Sequence, residues 1–208
     1  MIDRSPVALV TGGSRGLGRQ CAISLANEGV SVGICGRTRE TLDSTMIELE
    51  TRGVQVWCGV ADVSDSTKMR SLYEGVTGTL GPIDILVNNV GGSLSRAEIL
   101  GTSLDEFRGT FDLNLFGGFQ LMKLVIPHMQ EQKWGRIINI SSIYGREHGG
   151  SIDYMTGKAG LIAFSKHLAL QMAPFNVLVN SVAPGSIDFP GSTWDRFQKT
   201  QSPETVEE

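Results

Sequence analysis

The sequence predicts an α/β protein built on one doubly wound parallel sheet, and three observations predict it. Short apolar runs rich in Val and Ile alternate with segments of helical period along the whole 208-residue chain. The runs are near-continuous rather than alternately apolar and polar, the pattern of parallel strands buried on both faces. A glycine-rich turn joins the first run to the first helix. Alternation of this kind specifies right-handed crossovers that lay helices on both faces of the sheet.

The first strand is the apolar run Val7–Val10. Thr11-Gly12-Gly13-Ser14-Arg15-Gly16-Leu17-Gly18 follows it directly, and Cys21-Ala22-Ile23-Ser24-Leu25-Ala26 continues with helical period, giving a helix over Gly16–Asn27. Strand, glycine turn and helix in that order put backbone N–H groups and the positive helix end where a pyrophosphate can sit. Gly12 permits the tight turn, Gly16 a close approach of backbone to phosphate, and Gly18 the packing of helix on sheet. The spacing here is G-x-x-x-G-x-G, not the G-x-G-x-x-G of the usual fingerprint.

The second strand, Ser31–Cys35, precedes a helix over Arg39–Arg52. The third, Val54–Cys58, precedes one over Ser64–Leu80. The fourth, Ile83–Val87, leads into a single long helix, Leu104–Gln132. The fifth, Gly135–Ile140, leads into Ser151–Ala173, and the sixth is Val177–Val182. Ligands of such folds bind beyond the carboxyl ends of the strands, and every polar motif below lies there.

Composition narrows the function. Eighteen basic against 22 acidic residues give a formal net charge of −4, with Lys and Arg scattered, which argues against a nucleic-acid binder. Cys21, Cys35 and Cys58 are an odd, widely spaced set, expected as reduced thiols in the cytoplasm and not as a disulfide framework or metal site. His128, His148 and His167 show no metal-ligand spacing. The first strand begins within a few residues of Met1, leaving no room for a signal peptide, and no apolar stretch approaches the ~20 residues that span a bilayer.

Chemistry enters with Tyr154-Met155-Thr156-Gly157-Lys158. Positions i and i+4 share one helix face, so the phenol and the ammonium can be aimed into one pocket. A nearby cation favours the ionised phenol, which makes tyrosine usable as a proton donor or acceptor near neutral pH. Downstream of the second strand, Ile34-Cys35-Gly36-Arg37-Thr38-Arg39 carries glycine and arginine where an acidic residue would bind an adenosine 2′-hydroxyl. Arg15 and Arg37 together suit a 2′-phosphate bidentately.

This ordered set resembles the short-chain dehydrogenase/reductase family, from the first strand to about Asp188. Asp62-Val63 follows the third strand, Asn88-Asn89-Val90-Gly91 the fourth, Asn114 lies in the next helix, and Ser141-Ser142 end the fifth strand. Tyr154 and Lys158 come next, and Pro184-Gly185 closes the sixth strand. Within the family the chain is most similar to 3-oxoacyl carrier-protein reductases and their relatives. The resemblance implies a Rossmann-type sheet of strand order 3-2-1-4-5-6 and an NADP(H)-dependent oxidoreductase acting on a carbonyl or secondary alcohol, with a 3-oxoacyl thioester as one candidate. NADP(H) is favoured over NAD(H).

The resemblance also assigns roles. Tyr154 is the general acid or base, Lys158 biases it and holds the nicotinamide ribose, Ser142 steadies the substrate oxygen, and Asn114 holds a water that relays protons to Lys158. Gly12, Ser14, Arg15, Gly16, Leu17, Gly18, Arg37, Asp62, Val63, Asn89, Pro184, Gly185 and Ile187 contact the cofactor. Asp62 and Val63 cradle the adenine, Asn89 meets the ribose, and Asn88 ties neighbouring strands together. Two departures stand out: Val90 replaces the usual alanine, and Asp188-Phe189 follows Ser186-Ile187 where relatives often place a threonine.

Residues 1–190 are expected to form the dinucleotide-binding domain with the catalytic residues. Relatives continue into a lid, a further helix and a seventh strand, so 191–208 reads as the start of that region in a truncated chain or a fragment. Ser202-Pro203-Glu204 looks like a helix start. Phe116, Phe119, Leu161, Phe164 and Leu168, on Leu104–Gln132 and Ser151–Ala173, exceed what one sheet face can cover. The resemblance implies that these helices form an isologous interface between two subunits, so at least a homodimer is expected, and a homotetramer only where the other interface, formed by the further region, is present. The competing function is a non-catalytic dinucleotide-binding or interaction protein.

Overall fold

The structure, a computed structural model, describes residues 4–95 and 98–201. Six strands form one sheet: β1 (Val7–Thr11), β2 (Ser31–Gly36), β3 (Val56–Val60), β4 (Ile85–Asn88), β5 (Gly135–Ile140) and β6 (Val177–Val182). Every pairing is parallel, in the order β3-β2-β1-β4-β5-β6. The expected topology is the one found. The helices are α1 (Gly16–Asn27), α2 (Arg39–Glu50), α3 (Ser66–Leu80), α4 (Leu104–Phe111), α5 (Gly117–Glu131), α6 (Ile152–Met172) and α7 (Thr193–Thr200).

Successive residues of β1 face opposite ways, and this builds two cores. Ala8 and Val10 join Ile23, Leu42 and Leu49 beneath α1 and α2. Val7 and Leu9 join Met69, Leu121, Val125 and Leu168 beneath α3, α5 and α6. A strand buried on both faces reads as an unbroken apolar run, which is why β1 was legible. Strand β6 lies at the sheet edge with Leu178 and Val182 exposed.

One predicted element is corrected. The run Leu104–Gln132 is not one helix but α4 and α5 joined by a π-helical stretch, Asp112–Phe116. Asn114 sits in that stretch, and its side-chain amide donates to the carbonyl of Thr110 at 2.7 Å, the acceptor that its backbone N–H would take in an α-helix. Insertion of a side chain into the backbone ladder, at a residue that also bonds elsewhere, favours the wider turn. Helical period alone carries no sign of it.

The proposed subunit-contact residues divide. Leu161 and Leu168 are 2 % and 7 % exposed, buried within their own chain, and Phe164 packs edge-on against Phe119 at 5.9 Å. Only Phe116 and Phe119, 45 % and 39 % exposed, remain outward. The helix expected to begin at Ser202 lies outside the described residues. Helix α7 forms earlier, where the Ser192 hydroxyl accepts from the Asp195 amide at 2.8 Å, an N-cap of the usual kind.

At the amino-terminal edge of the sheet, Asp84 is fully buried. It accepts both Arg4 guanidinium nitrogens at 2.8 and 2.9 Å, the Val7 amide at 2.9 Å and the Gln132 side chain at 2.8 Å. All three cysteines are free. Among the described residues no helix is long and apolar enough to cross a membrane, and no group of three His, Cys, Asp or Glu side chains could hold a metal ion.

Candidate active site

Tyr154 and Lys158 both project from α6 toward the carboxyl ends of β4 and β5. Lys158 is 2 % exposed and donates to the Ile140 carbonyl at 2.8 Å, with its ammonium 5.7 Å from the centre of the Tyr154 ring. Burial without a carboxylate partner pushes the lysine down to about 8. Tyr154 is half-buried, and burial raises its phenol, opposed by a hydrogen bond from Ser142. The phenol expected to be lowered by Lys158 is raised instead, because its burial outweighs the Ser142 hydrogen bond. The phenol is therefore protonated at neutral pH.

The two serines that follow β5 differ in their partners. Ser141 donates to the Lys158 carbonyl at 2.9 Å and is committed to holding α6 on β5. Ser142 bonds Tyr154 and also accepts from the Tyr144 amide at 3.2 Å. Of the two, Ser142 is the one bonded to the phenol.

A buried carboxylate that sequence reasoning missed holds this region together. Asp153, 0 % exposed, accepts from Thr110 Oγ1 at 2.6 Å, from Ser93 Oγ at 3.1 Å and from the Tyr154 amide at 2.8 Å. Burial works to raise its carboxyl, but hydrogen bonds from Ser151, Thr110, Tyr154 and Ser93 outweigh it and hold it below the usual carboxylate range. Thr110 in turn accepts from the Leu94 amide at 3.1 Å. One side chain thus ties α4, α6 and the loop after β4. An Asp in the first turn of a helix is ordinary, so its spacing gave no hint of these partners.

Asn114 completes the brace. Its amide donates to the Gly92 carbonyl at 2.6 Å as well as to Thr110, and its oxygen accepts from the Gly92 amide at 3.1 Å. Both amide hydrogens are spent on backbone, so they are not free to hold the relay water. Gly91 is squeezed between two functional groups: a Cβ there would stand 2.5 Å from Lys158 Nζ and 2.9 Å from Asn114 Oδ1. Asn88 donates to Asn139 Oδ1 at 2.9 Å across β4 and β5, the strand tie expected of it.

The glycine turn is shaped for a phosphate. Gly12 and Gly16 have φ of +65° and +55°, a region glycine enters freely. Gly18 packs against the Gly12 carbonyl and Asn89 with no room for a side chain. No side chain caps the first turn of α1, and no acidic residue lies in it, so its N–H groups face outward for an anion. Asn89 braces the turn, donating to the Thr11 carbonyl at 2.9 Å while its own amide bonds the Thr11 hydroxyl. These residues fit the dinucleotide that the resemblance implies.

Ser14, Arg15, Gly16, Leu17 and Ile187 line one cavity of about 430 Å³ beside the turn. Other assigned residues stand apart from it. Asp62 is held below the usual carboxylate range by the Ser64 hydroxyl and amide, with a smaller contribution from Arg37. The Val63 side chain is buried in the core beneath α3 and α5 and lines a small cavity with Thr11, Val90 and Asn114. The Pro184 carbonyl accepts from the Ile143 amide at 2.9 Å, and Gly185 is exposed in open space.

Comparison with known proteins agrees with this geometry. The family model described as short chain dehydrogenase matches residues 6–200. The chain is 39% identical over 185 residues to a 3-oxoacyl-[acyl-carrier-protein] reductase of Aquifex aeolicus, covering 88% of this chain and 74% of that protein. It is 36% identical over 192 residues to a subunit of (2S)-[(R)-hydroxy(phenyl)methyl]succinyl-CoA dehydrogenase of Thauera aromatica, covering 92% and 76%. Among solved structures, an NAD+-bound xylitol dehydrogenase superposes with a TM-score of 0.85 at 32% identity, over 92% of this chain and 74% of that one. A 3-oxoacyl-[acyl-carrier protein] reductase with bound NAD from Brucella melitensis gives 0.83 at 31% identity, over 91% and 74%.

Proposed function

The chain belongs to the short-chain dehydrogenase/reductase family of oxidoreductases, and from that premise we propose that it transfers a hydride between NADP(H) and a carbonyl or secondary alcohol, with 3-oxoacyl thioesters as the substrate class. The observation that carries this reading is the half-buried Tyr154, bonded by Ser142 and backed by the buried Lys158. Nothing in a binding-only protein requires a proton donor on so costly a scaffold, which speaks against the non-catalytic alternative.

A bound nicotinamide dinucleotide would supply the hydride. The chain's own residues bind, orient and move the proton. The turn Gly12–Gly18 and the first amides of α1 would hold the pyrophosphate, Asn89 and Lys158 the nicotinamide-side ribose, and Arg15 with Arg37 a 2′-phosphate. In reduction, the Ser142 hydroxyl hydrogen-bonds the substrate oxygen and fixes it beside the phenol. The Tyr154 O–H bond breaks as the proton passes to that oxygen, forming the alcohol O–H. Lys158 stabilises the phenolate left behind. Oxidation runs the same proton path backward.

A panel of ketones and 3-oxoacyl thioesters, assayed with NADPH and NADH, tests the reading. Arg37→Asp should shift the preference toward NADH by about tenfold, because a carboxylate repels the 2′-phosphate and accepts from a ribose hydroxyl. An unchanged ratio would remove Arg37 from the cofactor assignment, and no hydride transfer to any member of the panel would remove the reductase reading.

A further inference from the structure

We propose that Phe189 sets the affinity of the dinucleotide site by occupying it, so that its ring must leave Gly16 before the pyrophosphate can be seated. This rests on the functional reading above and concerns a residue to which that reading gives no role. A Cβ built on Gly16 would stand 2.5 Å from Phe189 Cζ and 2.8 Å from Cε1 and Cε2. The far edge of the ring therefore lies flat against the bare face of the glycine, the position where a close approach of backbone to phosphate is needed. Gly16 is confined to glycine twice over, by its φ of +55° and by this ring.

The segment that carries the ring is built to move. Upstream, the Pro184 carbonyl is held by the Ile143 amide. Downstream, the Ser192 amide donates to the Phe189 carbonyl at 2.9 Å, and the Gly191 amide donates to Asp195 Oδ2 at 2.9 Å at the start of α7. Between these anchors, among the described residues, no hydrogen bond holds Gly185–Asp188, and Ile187 is exposed. Phe189 is the half-buried member of the strap 187–190, which forms one wall of the cavity whose other wall is Ser14–Leu17. A phenyl ring gains by resting on that turn instead of in water, and a ligand that takes the same place must first displace it. The threonine expected here would offer a hydroxyl to the cofactor; the phenylalanine offers only a competitor.

The test is direct titration of NADPH and NADH into the parent, Phe189→Ala and Phe189→Leu proteins, followed by nicotinamide fluorescence. Amide hydrogen exchange over residues 14–20 is measured on the same proteins without ligand. Phe189→Ala should bind NADPH about tenfold more tightly, the release expected for a half-buried ring, with Phe189→Leu between the two. Exchange at Gly16 and Leu17 should quicken in Phe189→Ala. Equal or weaker binding by the variants, with unchanged exchange, would overturn the proposal while leaving the functional reading intact. Binding by Phe189→Ala alone would support it most strongly. If no protein of the three binds either dinucleotide, the functional reading falls and the proposal falls with it.

Discussion

At the amino-terminal edge of the sheet, the buried Asp84 meets an arginine fork and two further donors. At the carboxyl-terminal edge, the equally buried Lys158 meets a single carbonyl and, among the described residues, no carboxylate. The two positions bury charge of opposite sign under opposite terms. Asp84 is compensated and serves the fold: it joins the start of β1 to the end of α5. Lys158 is uncompensated, and its ammonium is held near the point of losing its proton. A charge left poised in this way weakens the fold and is useful only to chemistry. The scaffold around it is correspondingly polar, with Asn114, Ser141, Ser142 and Asp153 all buried within the same region.

The contrast is broken most severely at Lys158. Lys158→Met should lower turnover by ~10²-fold or more, the scale of lost proton-transfer assistance, while leaving the folded protein as stable or more stable at pH 7. Thermal melts beside steady-state rates check both halves; a large fall in stability would show that the charge is structural after all. Asp84→Ala should behave in the opposite sense, costing about 3–5 kcal/mol of stability with kcat of the remaining folded enzyme within a factor of about two. Urea titration and active-site-normalised rates decide it.

A pH series sharpens the same comparison. The lysine lies at about 8 in the folded chain against 10.5 ordinarily. Between those values the unfolded chain binds more protons, so stability rises with pH across that window. Below about pH 8 both states are protonated and the burial penalty is full. The stability difference between Lys158→Met and the parent should therefore be largest below pH 8 and shrink by on the order of 3 kcal/mol by pH 10.5. The smallest effect expected is that of Thr110→Val, which removes a donor to Asp153 and an acceptor for the Leu94 amide. It should cost about 1–3 kcal/mol, and exchange at Leu94 should quicken; unchanged exchange would show that the loop does not depend on this link.

The two edges also differ in how far they could be read from sequence. The strands were legible because β1, β2 and β4 are buried on both faces and are short and mostly apolar, while their order was implied by the resemblance to the dinucleotide-binding fold. Tyr154, Lys158 and the glycine turn were legible because their chemistry depends on local spacing. The brace of Asp153, Thr110, Ser93 and Asn114 was not, because it joins residues up to 60 positions apart through hydroxyls and amides that look ordinary singly. The π-helical stretch was hidden for the same reason: it accompanies an Asn114 amide that takes the Thr110 carbonyl while also bonding Gly92. The burial of the Val63 side chain beneath α3 and α5 was not legible either, because a motif position says nothing about which way a side chain turns. Phe189 could be seen as a departure from pattern, but its contact with Gly16 is a property of the folded strap.

Whether the carboxyl edge keeps one buried cation uncompensated and poised can be read from an NMR titration of lysine ε-methylene signals, with Lys158 assigned by its absence in Lys158→Met. A midpoint of about 8 is expected in the ligand-free protein. A midpoint at the ordinary lysine value of 10.5 would contradict it.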